Sequence, residues 1–240
     1  MRTTTNTFVL ALAALFAILV NFGCADISVN PNADVTGPKN IVNTKAKAKE
    51  SFSYNVDLTG QLKLKVEGIN GQINVQSVSG TNQVTVSGEK EVAAETYSEA
   101  KVNLKNVQVE INKLSNDLLI KTLQPNYSDG KSYNVDYSIT VPSHLNVVIE
   151  NVNGSISGKL NVPQNGTVDL NLQNGSIKLD VPQNTSADFY ASLENGSIAV
   201  QNLNLHNRVE TSKRLQGTLG NGDGTISLST TNGNINVYGF

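Results

Sequence analysis

One cysteine in 240 residues, Cys24, rules out an internal disulfide, so the fold is held without an oxidative staple. Histidine is nearly as scarce. His144 and His206 stand far apart in predicted turns; with no second cysteine and no His-x-x-x-His spacing, they make no zinc site. No Gly-x-Ser-x-Gly elbow is present to support a Ser–His–Asp nucleophile. Tryptophan is absent, aromatic residues make up 5% and the formal net charge is only −2. The basic stripe with interleaved aromatics that marks nucleic-acid binding is therefore missing. These absences point to no cofactor, no metal and no nucleic-acid partner.

Long apolar runs are also lacking. Phe8 to Val20 gives 13 uninterrupted apolar residues, short of the roughly 20 that a membrane-spanning helix needs. Behind Arg2 and the polar stretch Thr3 to Thr7, this is the length of an export-signal core, so residues 1–23 are read as a signal peptide and set aside from the fold. Cys24 follows directly. Gly23-Cys24 resembles the lipobox of bacterial lipoproteins, in which the cysteine is lipidated and becomes the mature N-terminus, although Asn21 and Phe22 stand where a Leu and a small residue are usual. Gly23-Cys24-Ala25 also satisfies the small-x-small rule for ordinary cleavage after Ala25. The lipobox resemblance implies a cell-envelope lipoprotein held in the membrane, in the outer membrane above all, through Cys24; ordinary cleavage implies a periplasmic or secreted one. Residues 24–50 hold Pro31, Pro38 and four lysines (Lys39, Lys45, Lys47, Lys49) without an apolar period, and read as a flexible tether.

Asparagine, by contrast, is abundant, with 32 occurrences, and much of it falls in a repeat. Val141-Pro142 leads to Val147, Ile149 and Asn153-Gly154-Ser155-Ile156. Val162-Pro163 leads to Val168, Leu170, Leu172 and Asn174-Gly175-Ser176-Ile177. Val181-Pro182 leads to Phe189, Ala191, Leu193 and Asn195-Gly196-Ser197-Ile198. The Asn-Gly pairs lie 21 residues apart, twice running, and a fixed period of this size marks a stacked array. Asn70-Gly71 and Asn232-Gly233 repeat the phrase in the first half and at the end. Within a unit, Val168, Leu170 and Leu172 alternate with polar residues, as do Ile177, Leu179 and Val181. That is the pattern of two half-buried strands.

Two architectures fit. Asn-Gly between alternating strands is a strong hairpin signal, which would give an antiparallel meander. A right-handed β-solenoid would instead stack each unit on the next, letting Asn form ladders and Ile sit on Ile. Near-identity of the Asn-Gly-Ser-Ile phrase favours the solenoid, because a meander has no reason to repeat residue for residue. The expected fold is all-β, a single domain over residues 51–240, with Ile156, Ile177 and Ile198 in one core row. Residues 89–106, rich in Ala, Glu and Lys and free of Gly and Pro, predict one helical insertion with Val92, Tyr97 and Leu104 inward. Strands are expected around 107–111, 118–122 and 133–141.

Three blocks carry a family resemblance. They are Tyr137-Ser138-Ile139-Thr140-Val141-Pro142 running to Ile149-Glu150-Asn151-Val152-Asn153-Gly154, then Gly217-Thr218-Leu219-Gly220-Asn221-Gly222, then Ser229-Thr230-Thr231-Asn232-Gly233-Asn234-Ile235. Over about residues 60–240 the chain resembles the bacterial putative-adhesin family of β-repeat domains. The resemblance implies the β-repeat fold and carries no catalytic residues. Outward Asn, Gln, Ser and Thr, which are poor acids and bases near neutral pH, point to a non-enzymatic binding module, an adhesin whose ligand is a glycan or a protein. Gly158, where the repeat calls for an apolar residue, departs from the pattern and predicts a loosened coil. A polysaccharide-active enzyme is the alternative, with Asp169, Asp180, Asp188 and Glu194 as candidate carboxylates; an envelope sensor domain is a further one. Gly220-Asn221-Gly222-Asp223-Gly224 occurs once, whereas calcium-binding nonapeptides work in tandem, so it reads as a turn.

Overall fold

A computed structural model describes residues 45–240. Cys24 and the proposed signal and tether up to residue 44 lie outside the described residues. The described residues form fifteen strands and one short helix. The first four strands are β1 (Ala46–Asp57), β2 (Lys63–Glu67), β3 (Asn70–Val78) and β4 (Gln83–Ala94). Helix α1 (Tyr97–Asn103) and a 3₁₀ turn (Leu104–Asn106) precede β5 (Gln108–Lys113), β6 (Asp117–Leu123) and β7 (Ser132–Pro142). Two long strands follow, β8 (Asn146–Lys159) and β9 (Thr167–Val181), then β10 (Ala187–Asn195), β11 (Ile198–Gln201), β12 (Leu205–Glu210), β13 (Arg214–Leu219), β14 (Gly224–Asn232) and β15 (Ile235–Gly239).

β8 and β9 run straight through their Asn-Gly pairs and lie parallel to one another, with Asn153 opposite Asn174 and Ile156 opposite Ile177. A type I′ hairpin needs positive φ at both central residues. Only the glycines have it here: Gly154 stands at φ 130 and Gly175 at φ 132, while none of the Asn residues beside them is left-handed. The pair is thus a corner inside a continuous strand, and the stacked-coil reading holds over the meander. Inward side chains sit at 168, 170 and 172 before the corner and at 177, 179 and 181 after it. Strand alternation alone would not keep both sets on one side. The glycine changes the phase, and both arms of each coil bury their apolar residues in one core.

Two arms follow. The A arm, before the corner, pairs β5, β6, β2, the first halves of β8 and β9, β14, β10, β13 and β12 in that order. The B arm, after the corner, pairs β1, β4, β7, β3, the second halves of β8 and β9, β15 and β11. Between coils the ladders are parallel; β1–β4–β7, β5–β6 and β10–β13–β12 are antiparallel. The Val-Pro turns close alike, Leu145, Gly166 and Thr185 each donating a backbone N–H to the carbonyl of Pro142, Pro163 and Pro182.

Four expectations need correction. Ile156 and Ile177 are neighbours, but Ile177 is followed by Ile235, and Ile198 comes after Ile235 at the end of the row. The last coil in sequence, β14–β15, is inserted between β9 and β10–β11, because the β12–β13 hairpin brings the chain back along β10. Ile198 is consequently only half-buried, whereas Ile73, Ile156, Ile177 and Ile235 are buried. The helix is far shorter than residues 89–106. Glu89 to Ala94 belong to β4, where pairing on both edges by β1 and β7 overrides a helix-favouring composition. Thr96 caps what helix remains by accepting from the Glu99 N–H at 3.2 Å, and Tyr97 is 59% exposed instead of inward. The tether gives way to β1 at Ala46, where Lys47 pairs with Glu91 (2.7 Å) and Lys49 with Glu89 (2.6 Å). Gly158 loosens nothing: Leu179 and Leu160 fill the space a Cβ would enter. The strands expected around 107–111, 118–122 and 133–141 are β5, β6 and β7.

Removing the side chain of a buried aliphatic residue costs about 2–5 kcal/mol. Ile177→Ala is expected to fall in that range by chemical denaturation and Ile198→Ala to lose less than half as much. Equal losses would put Ile198 inside the row and refute the inserted last coil.

Candidate functional site

The corners stack into a ladder. Asn70 Nδ2 donates to the Tyr133 carbonyl (3.1 Å), Asn153 Nδ2 to Asn70 Oδ1 (2.8 Å) and Asn174 Nδ2 to Asn153 Oδ1 (3.0 Å). Asn232 Nδ2 then donates to Asn174 Oδ1 (2.7 Å) and Asn195 Nδ2 to Asn232 Oδ1 (2.8 Å). All five repeat asparagines therefore lie in one chain of amide hydrogen bonds with a single direction. The glycines beside them, Gly71, Gly154, Gly175, Gly233 and Gly196, have φ between 125 and 148. A Cβ on any of the last four would run into the carbonyl of the preceding corner glycine, and one on Gly71 into that of Val135. Two buried polar residues, not recognised in the sequence, brace the inside of the corner. Asn151 Nδ2 donates to the Gly71 carbonyl (3.0 Å), and Thr230 Oγ1 to that of Gly175 (3.2 Å). Their signal was available: both fall at positions where alternation calls for an apolar side chain, as Leu172 and Leu193 supply in their coils.

Just before the corners, the outer surface of the A arm carries a shallow lane that crosses the coils. One part, about 360 Å³, is lined by Glu67, Lys121, Glu150, Asn151, Asn171 and Gln173. A second, about 270 Å³, shares Asn171 and adds Ser192, Glu194, Lys213, Arg214, Ser229 and Thr231. A third, about 210 Å³, shares Ser192 and Arg214 and adds Tyr190, Gln216 and Ser227. The rows follow from register: Glu150 faces Asn171, Asn171 faces Ser229, Ser229 faces Ser192 and Ser192 faces Arg214. Each step is one strand spacing, about 4.8 Å. Tyr190 is 50% exposed, and among the described residues the Arg214 guanidinium has no ion-pair partner.

Charge is spent at the N-terminal end of the lane. Glu67 takes Lys65 (2.9 Å) and Lys121 (3.0 Å), and Lys65 also reaches Glu150 (3.5 Å). The hydrogen bond from Lys65, then that from Lys121, holds the Glu67 carboxyl below the usual range, and the bond to Glu67 raises Lys65 in turn. Asp169 moves the other way: burial pushes its carboxyl up, against a hydrogen bond from Ser227 that lowers it, and nearby Glu150 adds to the rise.

The four candidate carboxylates do not converge. Asp169 and Asp188 lie on the outer A arm, with the strand β14 between theirs. Asp180 is on the B arm, bound to Lys178 at 3.2 Å. Glu194 is at the corner and pairs with Lys213 at 3.3 Å. Neither histidine stands beside any of them; His144 is exposed in the turn after β7, and His206 faces Asn204 at 3.2 Å. Among the described residues no group of three His, Cys, Asp or Glu side chains could hold a metal ion, and no helix is long and apolar enough to cross a membrane.

Two bent arms sharing one core, with parallel coils stacked through Asn-Gly corners, define a β-solenoid-like repeat protein. The profile of the Toastrack DUF4097 family matches residues 53–238, and the chain belongs to that family. No curated protein matches the chain. Among solved structures, it is similar to a "putative cell adhesion protein" from Clostridium sporogenes at 12% identity, covering 80% of this chain and all of that one, with a TM-score of 0.49. A "putative adhesin" from Bacteroides fragilis matches at 12% identity over 79% of this chain and 98% of that one, TM-score 0.30. One from Parabacteroides distasonis matches at 13% over 79% and 69%, TM-score 0.24. The family assignment rests on the profile match.

Proposed function

We propose that the protein is a non-enzymatic binding module of the cell envelope, exported and anchored through a lipid on Cys24, and that it holds an extended glycan along the A-arm lane. The observation that carries this reading is the run of uncharged hydrogen-bonding side chains, Asn171, Ser229 and Ser192, set one strand spacing apart and ending at Tyr190 and Arg214. A polymer lying across the coils meets amide and hydroxyl groups at each step, an aromatic face for a sugar ring at Tyr190, and one cation at Arg214. Amides and alcohols bind sugars but are poor acids and bases near neutral pH. Among the described residues, Asp169 is the one carboxyl pushed upward, and no histidine or metal-holding cluster stands beside it to form an acid–base pair.

Probing a glycan array with the full chain tests this. Tyr190→Ala and Arg214→Ala are each expected to weaken binding about tenfold with thermal stability unchanged, since both side chains project into solvent. Binding that survives both changes refutes the lane. Turnover of an array polysaccharide that vanishes in Asp169→Asn favours the enzyme alternative.

The anchor has its own test. Cys24→Ser is expected to release the protein from membranes and abolish palmitate labelling while leaving the fold intact, because the described fold uses no thiol. Labelling of the wild type that is absent from the start would make the protein soluble and secreted.

A further inference from the structure

The strands that end the two arms are not built alike. β1 carries Lys47, Lys49 and Glu50, and β5 carries Glu110 and Lys113. β12 carries His206, Arg208 and Glu210, and its register slips between His206 and Val209. Charges and bulges of this kind keep an edge from pairing with foreign strands. β11 reads Ile198-Ala199-Val200-Gln201, without charge, proline or bulge. Its one strand partner among the described residues is β15. Ile235 N–H donates to the Ser197 carbonyl at 2.9 Å; in a parallel ladder this turns the N–H groups of Ile198 and Val200 away from β15, toward the open edge. The A arm has no such opening at this end, because β13 and β12 cover β10.

The ladder also states what the next strand would have to be. Each corner asparagine donates to the one before it, so Asn195 Oδ1 is left facing the open side as an acceptor. Each corner glycine carbonyl occupies the place of a Cβ in the next coil, so only glycine fits against Gly196. Each coil adds an isoleucine three residues after its asparagine, and Ile198 is the half-buried end of that row. The missing strand therefore reads Asn-Gly-x-Ile.

We infer that β11 is a docking edge that takes up, as an added parallel strand, an Asn-Gly-x-Ile corner from another protein. This chain has none to spare. Its five such corners are all rungs of the ladder, and the far end, Asn70, is closed by the Tyr133 carbonyl. Asn165-Gly166 and Asn221-Gly222 lie in turns, and residues 1–44 contain no Asn-Gly pair. The edge belongs to the B arm and the lane to the A arm, so this inference stands apart from glycan binding.

The test uses the full chain in detergent and a fluorescein-labelled peptide with the sequence of residues 230–238, which contains Asn232-Gly233-Asn234-Ile235. A saturable rise in anisotropy is expected. Gly233→Ala in the peptide should weaken it about tenfold or more, and Val200→Pro in the protein, which removes an edge N–H, should do the same with thermal stability preserved. The peptide pair decides the matter even where Val200→Pro fails to fold. No saturable binding, or equal binding of the two peptides, overturns the inference. So does a dimer in sedimentation that Val200→Pro dissolves, since a second copy would then fill the edge.

Discussion

The contact on which the rest depends is a backbone one: the corner glycine of each coil lies against the carbonyl of the corner glycine in the coil before it. At Gly154, Gly175, Gly233 and Gly196 the space a side chain would need is already occupied by that oxygen. Positive φ at these glycines also bends the strand and shifts the phase of its alternation. Without that shift, an arm that buried Val168, Leu170 and Leu172 could not continue into one that buries Ile177, Leu179 and Val181. One residue type therefore fixes coil spacing, bend and the shared core together. The asparagine ladder aligns coils that the glycines have already brought close.

Surface design follows from the same repetition. Because rows of equivalent residues lie one strand apart, a polar position in one coil becomes a polar lane across several, as Asn171, Ser229 and Ser192 show. Charged residues are concentrated where coils give way to antiparallel strands: the Lys47, Lys49, Glu89 and Glu91 cluster on β1–β4 and the Lys65–Glu67–Lys121 network at β2–β6. These pairs are partly solvent-exposed and add little stability individually. Of these residues Lys47 and Lys49 lie on β1, the strand that ends the B arm, where charge keeps a sheet edge from joining others.

The five rungs were legible in the sequence because each has the same chemical requirement, an amide that both donates and accepts beside a residue without a Cβ. Their order was not legible, for the same reason. A phrase that fits next to any copy of itself does not say which copy it joins, so Ile235 between Ile177 and Ile198 is visible only in three dimensions. Glu89 to Ala94 misled because helix propensity is weak against strand pairing on both sides. Of the site, the outward polar positions were foreseeable strand by strand. The lane was not, since Asn171, Ser192 and Arg214 meet only once β14 has been inserted between β9 and β10.

The close approach of the corner glycines is tested most directly by the unfolding free energy of Gly175→Ala beside that of Asn174→Ala. The added methyl meets the Gly154 carbonyl in a backbone conformation unfavourable to alanine, and strain with displacement of a neighbouring strand should cost at least about 3 kcal/mol. Asn174→Ala loses two partly solvated amide hydrogen bonds, one donated and one accepted, and should cost about 2 kcal/mol. The account predicts that the glycine substitution is clearly the more damaging. A Gly175→Ala protein as stable as the wild type, or less impaired than Asn174→Ala, would contradict it.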